Sequence, residues 1–443
     1  YVYRVGDTYD GKYTVEATGR YDGHFAFAPG KRYAYFPAFS AGWIISEEAF
    51  MKSVSWVNYF KIKGSWGKTG NLVSGGDYQW QDSYNLNNNN YAFGLGTLLQ
   101  GTSPNSQANA ALTWEVAQKT DIGFESVLFK GKLNLEVGVF KQKRSNMLTD
   151  PQTVVSKEYG IGLSQVNAGI MESSGIEITA GTQHKFANGL QLSLNGNFTY
   201  ANNKLIQTFE SAATFNNANR RRTGRPLGSQ FGYKSLGLFH LSDDKNGDGI
   251  INAADGYNVT QFGTLKPGNI KYADLNGDGK IDANDETYLG FNPSPLITYG
   301  FTLAANWKGF DASVFFQGAA KTTIGTQNFL TVPFSNNSSN TGYEYYNNRW
   351  TPENDMNAKY PRASSAPYSN DTQGSDFWVR DGSYLRLRTA TIGYTIPSLV
   401  VKALKIKSVR LYVTGQNLLT FSKLKFIDPE LSGGNGSASN SGT

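Results

Sequence analysis

From Leu190 to Tyr200 the sequence alternates strictly. Leu190, Leu192, Leu194, Gly196, Phe198 and Tyr200 share one face, and Gln191, Ser193, Asn195, Asn197 and Thr199 share the other. A period of two is the signature of a strand, because successive side chains leave a pleated backbone on opposite sides. The pattern returns in Ile297, Tyr299, Phe301, Leu303 and Ala305, in Phe310, Ala312, Val314 and Phe316, and in Val409, Leu411 and Val413. Further strands are predicted at about 11–22, 33–46, 58–70, 113–129, 131–148, 171–186 and 376–396, eleven in all.

One apolar and one polar face suit two architectures. A soluble sandwich buries the apolar face against a second sheet, whereas a transmembrane barrel turns it to lipid and keeps the polar face toward a hydrated lumen. Connection lengths separate the two. Tight turns at Lys130–Lys132, Ala187–Gly189 and Lys308–Gly309 alternate with long polar segments at about 71–112, 149–170, 203–294, 321–375 and from 421 onward. Two medium connections, 47–57 and 397–407, hold short amphipathic stretches and fall on the short side. A sandwich has no reason to keep one end short, but an outer-membrane barrel has short periplasmic turns and long extracellular loops. The expected class is therefore all-β, an antiparallel transmembrane barrel. Within 376–396, Arg386 and Arg388 share a face with Ile392 and Tyr394, which requires either a bulge or an extramembrane upper half.

Composition narrows the reading. No run of eighteen apolar residues exists, and a membrane helix needs about 20, so any crossing must be made by strands. Aromatics make up 14%, with 26 Tyr and 27 Phe, which suits the aromatic girdles of a barrel and equally a soluble carbohydrate-binding β-protein. The absence of cysteine excludes disulfides and thiolate metal sites, and His24, His184 and His240 are too scattered in sequence to suggest zinc. The net charge of +6 is dispersed apart from Arg220, Arg221, Arg222 and Arg225, which read as a solvated loop; no nucleic-acid partner is expected. An open sheet in hydrocarbon leaves unpaired backbone groups at its edges and must close with further strands. The chain opens in the strand-like Tyr1–Val5 and closes in a Gly/Ser/Asn-rich run after Leu431, so residues 1–443 are expected to form the C-terminal half of a barrel without its closing strand.

The segments FAPGKRYAYFPAFSAGWIISEEAFMK (27–52), IKGSWGKTGN (62–71), LTWEVAQKTDIGFE (112–125), NAGIMESSGIEI (167–178), NRWTPEN (348–354), WVRDGSYLRLRTATIGYTIP (378–397) and LYVTGQNLLTF (411–421) form one colinear series. Together they resemble successive barrel segments of the SusC/RagA-like TonB-dependent outer-membrane transporters. The resemblance implies a 22-stranded barrel, about half of it in this chain, closed around an N-terminal plug that this sequence lacks. It also implies energy supplied through TonB at that plug, a SusD-like surface lipoprotein as partner, and active import of an oligosaccharide or peptide. From the residues alone, a secreted or surface-attached calcium-binding, glycan-binding β-protein and a passive porin remain as alternatives.

The strongest chemical motif lies at 241–290, expected to be an extracellular loop insert. DKNGDGIINAAD (244–255) places Asp244, Asn246, Asp248, Asn252 and Asp255 at positions 1, 3, 5, 9 and 12 of a calcium loop, with Gly249 at the sixth. DLNGDGKIDAND (274–285) repeats the arrangement with Asp274, Asn276, Asp278, Asp282 and Asp285, and Gly279 at the turn. Alternate oxygens at this spacing converge on a hard cation, the glycine permits the sharp turn, and the seventh residue, Ile250 or Lys280, offers its carbonyl. Ile251 and Ile281 are expected to pack inward. Aspartate at position 12 makes the loops dockerin-like, and structural calcium is the expected cofactor; an Asx-rich turn without metal is the plainer reading.

No catalytic arrangement stands out. The sequence contains no G-x-S-x-G, P-loop or H-E-x-x-H motif, and Glu115, Asp121 and Glu125 read as lumen-lining groups rather than as a glycosidase pair. An enzyme is not expected. Candidate ligand contacts are the loop aromatics Trp80, Tyr84, Tyr91, Tyr343, Tyr345, Tyr346 and Trp350, whose faces suit sugar rings and peptide side chains and equally suit packing within the loops.

Overall fold

The computed structural model describes residues 1–72, 78–92, 96, 98–290, 294–327, 340–364, 369–402 and 405–430. Twelve strands form one antiparallel sheet in which each pairs with its neighbours in sequence. They are β1 (Val2–Tyr9), β2 (Tyr13–Gly23), β3 (Tyr33–Ile44), β4 (Val57–Asn71), β5 (Glu115–Leu128), β6 (Leu133–Thr149), β7 (Val166–Lys185), β8 (Gln191–Gln207), β9 (Ile297–Trp307), β10 (Phe310–Ala320), β11 (Tyr384–Thr395) and β12 (Arg410–Ser422). The eleven predicted strands are all present. The twelfth, β1, turns onto β2 through Asp10–Lys12, with Asp10 and Gly11 at positive φ. Connections at one end of the sheet are short and those at the other long, as an outer-membrane barrel requires. No described helix is long and apolar enough to cross a membrane.

Register turns the alternation into continuous bands. One row runs Ile62, Phe124, Val137, Ile178, Phe198 and Tyr299 across β4 to β9. The row nearer the long loops holds Ile122, Val139, Ile176, Tyr200 and Ile297, and the row nearer the short turns holds Leu135, Ala180, Gly196, Phe301 and Phe316. From Leu192 to Tyr200 this face covers about 26 Å of strand at roughly 3.3 Å per residue, comparable with the ~25 Å apolar height of outer-membrane barrels. Aromatic pairs mark its limits. Near the short turns Tyr13 stacks on Trp43 at 6.2 Å and Phe310 lies 4.5 Å from Tyr394; near the long loops Tyr3 stacks on Tyr35 at 5.9 Å and Tyr21 on Tyr33 at 5.4 Å. Each such pair is worth about 0.5–1.5 kcal/mol beyond its buried area.

The conflict at Arg386 and Arg388 is resolved by a bulge. Phe315 and Phe316 of β10 face Thr389 and Leu387 of β11, leaving Arg388 as an extra residue; on β12 two residues, Asn417 and Leu418, are extra at the same level, with Asn417 at φ 51°. Below the bulge Ile392 and Tyr394 join the apolar face, and above it Leu385 and Leu387 take that face while Tyr384 and Arg386 turn to the other. Arg386 is buried, reaching Asp428 at 2.5 Å and Glu430 at 2.7 Å, and Arg388 reaches Glu430 at 3.1 Å. The segment after β12 thus straps back over β11.

The sheet has two edges. Every residue of β1 is exposed, and so is nearly every residue of β12.

At the long-loop end, two small strand pairs lie within 231–288, Phe231–Tyr233 with Glu286–Tyr288 and Ser235–Leu238 with Ile270–Tyr272, and a third, Thr323–Gly325 with Val379–Asp381, lies within the connection from β10 to β11. The Asp376 and Asp371 carboxylates join the two segments, accepting the N–H groups of Ser235 at 2.6 Å and Ile270 at 2.8 Å. Both segments share a core of Tyr233, Leu238, Ile270, Tyr272, Ile281, Tyr345, Trp350, Tyr360 and Trp378. The compact unit therefore extends beyond the expected insert 241–290 to include the loop before β11.

Candidate functional site

Both Asx-rich segments form the same tight loop, thirty residues apart. In the first, Asp244 accepts the N–H groups of Gly247 and Gly249, both at 2.8 Å, and Asp255 accepts those of Lys245 at 2.8 Å and Asn252 at 3.1 Å. In the second, Asp274 accepts from Gly277 and Gly279 at 2.6 and 2.7 Å, and Asp285 from Leu275 and Asp282 at 2.8 and 2.9 Å. Gly249 and Gly279 stand at φ 79° and 81°, a left-handed conformation costly to any side chain. Ile251 and Ile281, each 3% exposed, pack inward as expected. Each also joins the intervening strand-like segment: Ile251 donates its N–H to Leu265, and Ile281 donates its own to Thr260.

The position-12 carboxylates are buried but satisfied. Burial pushes Asp255 up, yet the N–H groups of Asn252, Asn246 and Lys245 outweigh it and hold the carboxyl below the usual range. At position 9 of the second loop, the Asn284 N–H, helped by Lys280, holds the half-buried Asp282 low. Oxygen-only donors on a preformed loop backbone fit a hard cation in kind. Their side chains are turned to one another and to the backbone: Asn246 donates to Asp248 at 3.0 Å and Asn276 to Asp278 at 2.9 Å. Among the described residues no three His, Asp or Glu side chains are gathered around one point. The Ile250 and Lys280 side chains are exposed beside their loops, and Asn252 accepts from Ala254 at 2.7 Å as a cap.

The seven aromatic candidates divide. Tyr343 and Tyr346 are exposed, at 84% and 58%, with the Arg349 guanidinium over the Tyr346 ring. Tyr84 is exposed at 69%. Trp80 is partly buried 6.5 Å from Tyr78, and the Tyr91 side chain lies outside the described residues. Tyr345 and Trp350 are corrected from ligand contacts to core: they are 2% and 7% exposed, Tyr345 donates to the Pro361 carbonyl at 3.1 Å, and Trp350 donates to Asp355 at 2.7 Å. The reason is helical period, which sends Tyr343 and Tyr346 to one face of Tyr343–Asn348 and Tyr345 to the other.

The polar face of the sheet is its concave one. A hollow of about 560 Å³ lies in the curve, lined by Glu16, Ser40, Lys63, Asp121, Glu136 and Glu177 among others. Lys63 bridges Glu125 at 2.6 Å and Glu136 at 2.5 Å, so three adjacent strands are tied by charge on the lumen side. Glu125 and Asp121 line the lumen as expected, while Glu115 is buried at the loop end, accepting the Leu148 N–H at 2.8 Å. The arginine cluster is consumed within its own loop: Arg220 pairs with Glu286 at 3.2 Å, Arg221 donates to the Phe215 carbonyl at 2.6 Å, and Arg225 lies 4.7 Å from the Tyr288 ring.

The family model described as TonB dependent receptor-like, beta-barrel matches residues 5–272. TonB-dependent receptor P3 of Formosa agariphila is 29% identical over 438 residues, covering 96% of this chain and 41% of that protein. The TonB-dependent receptor SusC of Bacteroides thetaiotaomicron is 24% identical over 435 residues, covering 96% and 40%. Among solved structures, a chain of the RagAB peptide transporter superposes with a TM-score of 0.75 at 21% identity, over 98% of this chain and 45% of that one, a likeness of fold. The chain spans about two fifths of the length of the curated relatives it matches. A lipid-facing band, a concave polar lumen face and one-sided long loops agree with that match, and the chain belongs to the TonB-dependent receptor β-barrel family of the bacterial outer membrane.

Proposed function

We propose that the protein to which this wall belongs imports a nutrient, an oligosaccharide or a peptide, across the outer membrane, driven through TonB at an N-terminal plug and assisted by a SusD-like surface lipoprotein. The observation that carries the reading is the asymmetric wall: a lipid-facing band with a charged concave face behind it, capped at one end by a folded extracellular body. RagAB is named a peptide transporter and SusC a TonB-dependent receptor, and family membership supports the same class here. Receptors of this family bind and move ligands rather than transform them. The test is affinity purification of the intact protein from outer membranes, coupled with uptake assays before and after collapse of the proton-motive force. A copurifying SusD-like lipoprotein and loss of uptake are expected; purification without one in every growth condition, or uptake that survives collapse, overturns the reading.

Calcium is proposed as a structural ligand of the two loops. Asp244, Asn246, Asp248, Asn252 and Asp255, with the Ile250 carbonyl, would hold one ion, and Asp274, Asn276, Asp278, Asp282 and Asp285, with the Lys280 carbonyl, the other; the ion would neutralise clustered carboxylates and order the loops. Chelation should raise protease cleavage within 241–290, and an unchanged digestion pattern counts against bound metal.

A further inference from the structure

Just beyond the apolar band, on the same outward face, the register gathers lysines. One row runs Trp66, Thr120, Lys141, Ser174 and Asn202 across β4 to β8, and the next runs Lys68, Gln118, Lys143, Glu172 and Lys204. These residues are scattered over 139 positions of sequence, from Trp66 to Lys204 numbering inclusively, and only strand pairing aligns them. Lys321 flanks the end of the array, its ammonium 5.7 Å from the ring of Tyr200 in the uppermost apolar row, and Lys68 lies 5.9 Å from the Trp66 ring. Five lysines against Glu172 leave a local excess of four positive charges. Among the described residues Lys141 approaches Glu172 at 3.6 Å, while Lys68, Lys143, Lys204 and Lys321 have no carboxylate partner.

We propose that this strip is a binding surface for anionic, phosphorylated lipid headgroups of the outer leaflet. Its position carries the argument. It lies on the lipid side, immediately past Ile122, Val139, Ile176 and Tyr200, so a lipid whose chains cover that band presents its headgroup to the lysines. Lys68, Lys143 and Lys204 sit two strands apart, about 10 Å at roughly 4.8 Å per strand, and the strands between offer Thr120, Gln118 and Ser174 as donors to phosphate oxygens. Lysine flanked by aromatic rings is the combination that anchors a protein surface at a membrane interface. Lysine ammonium groups near an anionic bilayer surface each strengthen attraction to it. A soluble anion lacks the chains that would fill the apolar face below, which is why the headgroup of a lipid, and not free phosphate, is the occupant.

The test uses the intact outer-membrane protein in nonionic micelles, with retained lipid counted by native mass spectrometry. Phosphatidylglycerol and phosphatidylcholine of the same chain length are the probes, and inorganic phosphate is the competitor. The wild type should retain phosphatidylglycerol preferentially, lose the preference at high salt, and keep it against inorganic phosphate. Lys143→Gln with Lys204→Gln should reduce the preference by roughly fivefold per lysine. The pair Lys143→Arg and Lys204→Arg should preserve it, as should Lys61→Gln on the lumen face. Heat-dependent gel mobility establishes that each variant is folded. Equal retention of the two lipids by the wild type, an undiminished preference in the double glutamine variant, or displacement by inorganic phosphate alone overturns the proposal.

Discussion

Asp371 joins the two long extracellular segments by a carboxylate that is almost wholly buried. It accepts the Asn269 side chain at 2.6 Å and the Ile270 N–H at 2.8 Å, while Tyr272 donates to the Asn370 carbonyl at 2.8 Å. Burial pushes its carboxyl up to about 6, against the opposing pull of these donors and of Arg362. A folded-state value above the unfolded one means that stability is fully present below about 4 and is lost as pH rises through about 6. Hydrogen exchange at 269–272, corrected for intrinsic rate, should therefore show stronger protection at pH 4 than at pH 7, by on the order of 2–3 kcal/mol, and Asp371→Asn should flatten the difference. Nearby, Trp350→Ala should cost about 3–5 kcal/mol in denaturant unfolding of the loop unit, whereas Tyr343→Ala should stay within about 0.5 kcal/mol. If the exposed Tyr343 proves the costlier, the assignment of core and surface is wrong. In sequence these aromatics look alike, because four within eight residues give no periodicity long enough to say which face each occupies. The Asx loops were legible for the opposite reason: their donors, glycines and inward isoleucines all act within twelve residues.

At the scale of elements, β11 shows how a single inserted residue redirects a strand. Arg388 shifts the alternation, so Arg386 leaves the lipid face, where an unpaired charge costs about 2–4 kcal/mol near the membrane midplane, and meets Asp428 and Glu430 instead. The alternation exposed the conflict but could not choose its solution, since a bulge is defined by the partner strand. Glu430→Ala would leave Arg388 without a carboxylate and Arg386 with one, costing about 1–3 kcal/mol. The expected readout is faster proteolysis within 423–430 with the barrel strands unaffected; equal sensitivity in wild type and variant would show that the strap is held by other contacts, such as the buried Leu424. The strand β1 is only partly legible in sequence, as the strand-like Tyr1–Val5, because its exposed tyrosine, valine and arginine side chains give its short alternation little contrast, and its full extent is defined by its pairing with β2.

For the molecule as a whole, the decisive feature is an open twelve-stranded wall. β1 and β12 are exposed edges, and unpaired backbone groups in hydrocarbon cost several kcal/mol each. Refolded into micelles by itself, residues 1–443 should associate through these edges and run as several species in size-exclusion chromatography with light scattering. A single monodisperse monomer would mean that the edges close on each other. Faces, turns and the spacing of the Asx loops were determined by the sequence alone, because period two, glycine at positive φ and alternating oxygens are local properties of a few consecutive residues. The cross-strand lysine strip, the bulge that turns Arg386 inward, and the shared core that buries Tyr345 and Trp350 were decided only by tertiary structure. Each depends on register or packing between residues far apart in sequence, and no local pattern encodes which distant strand or loop will lie alongside.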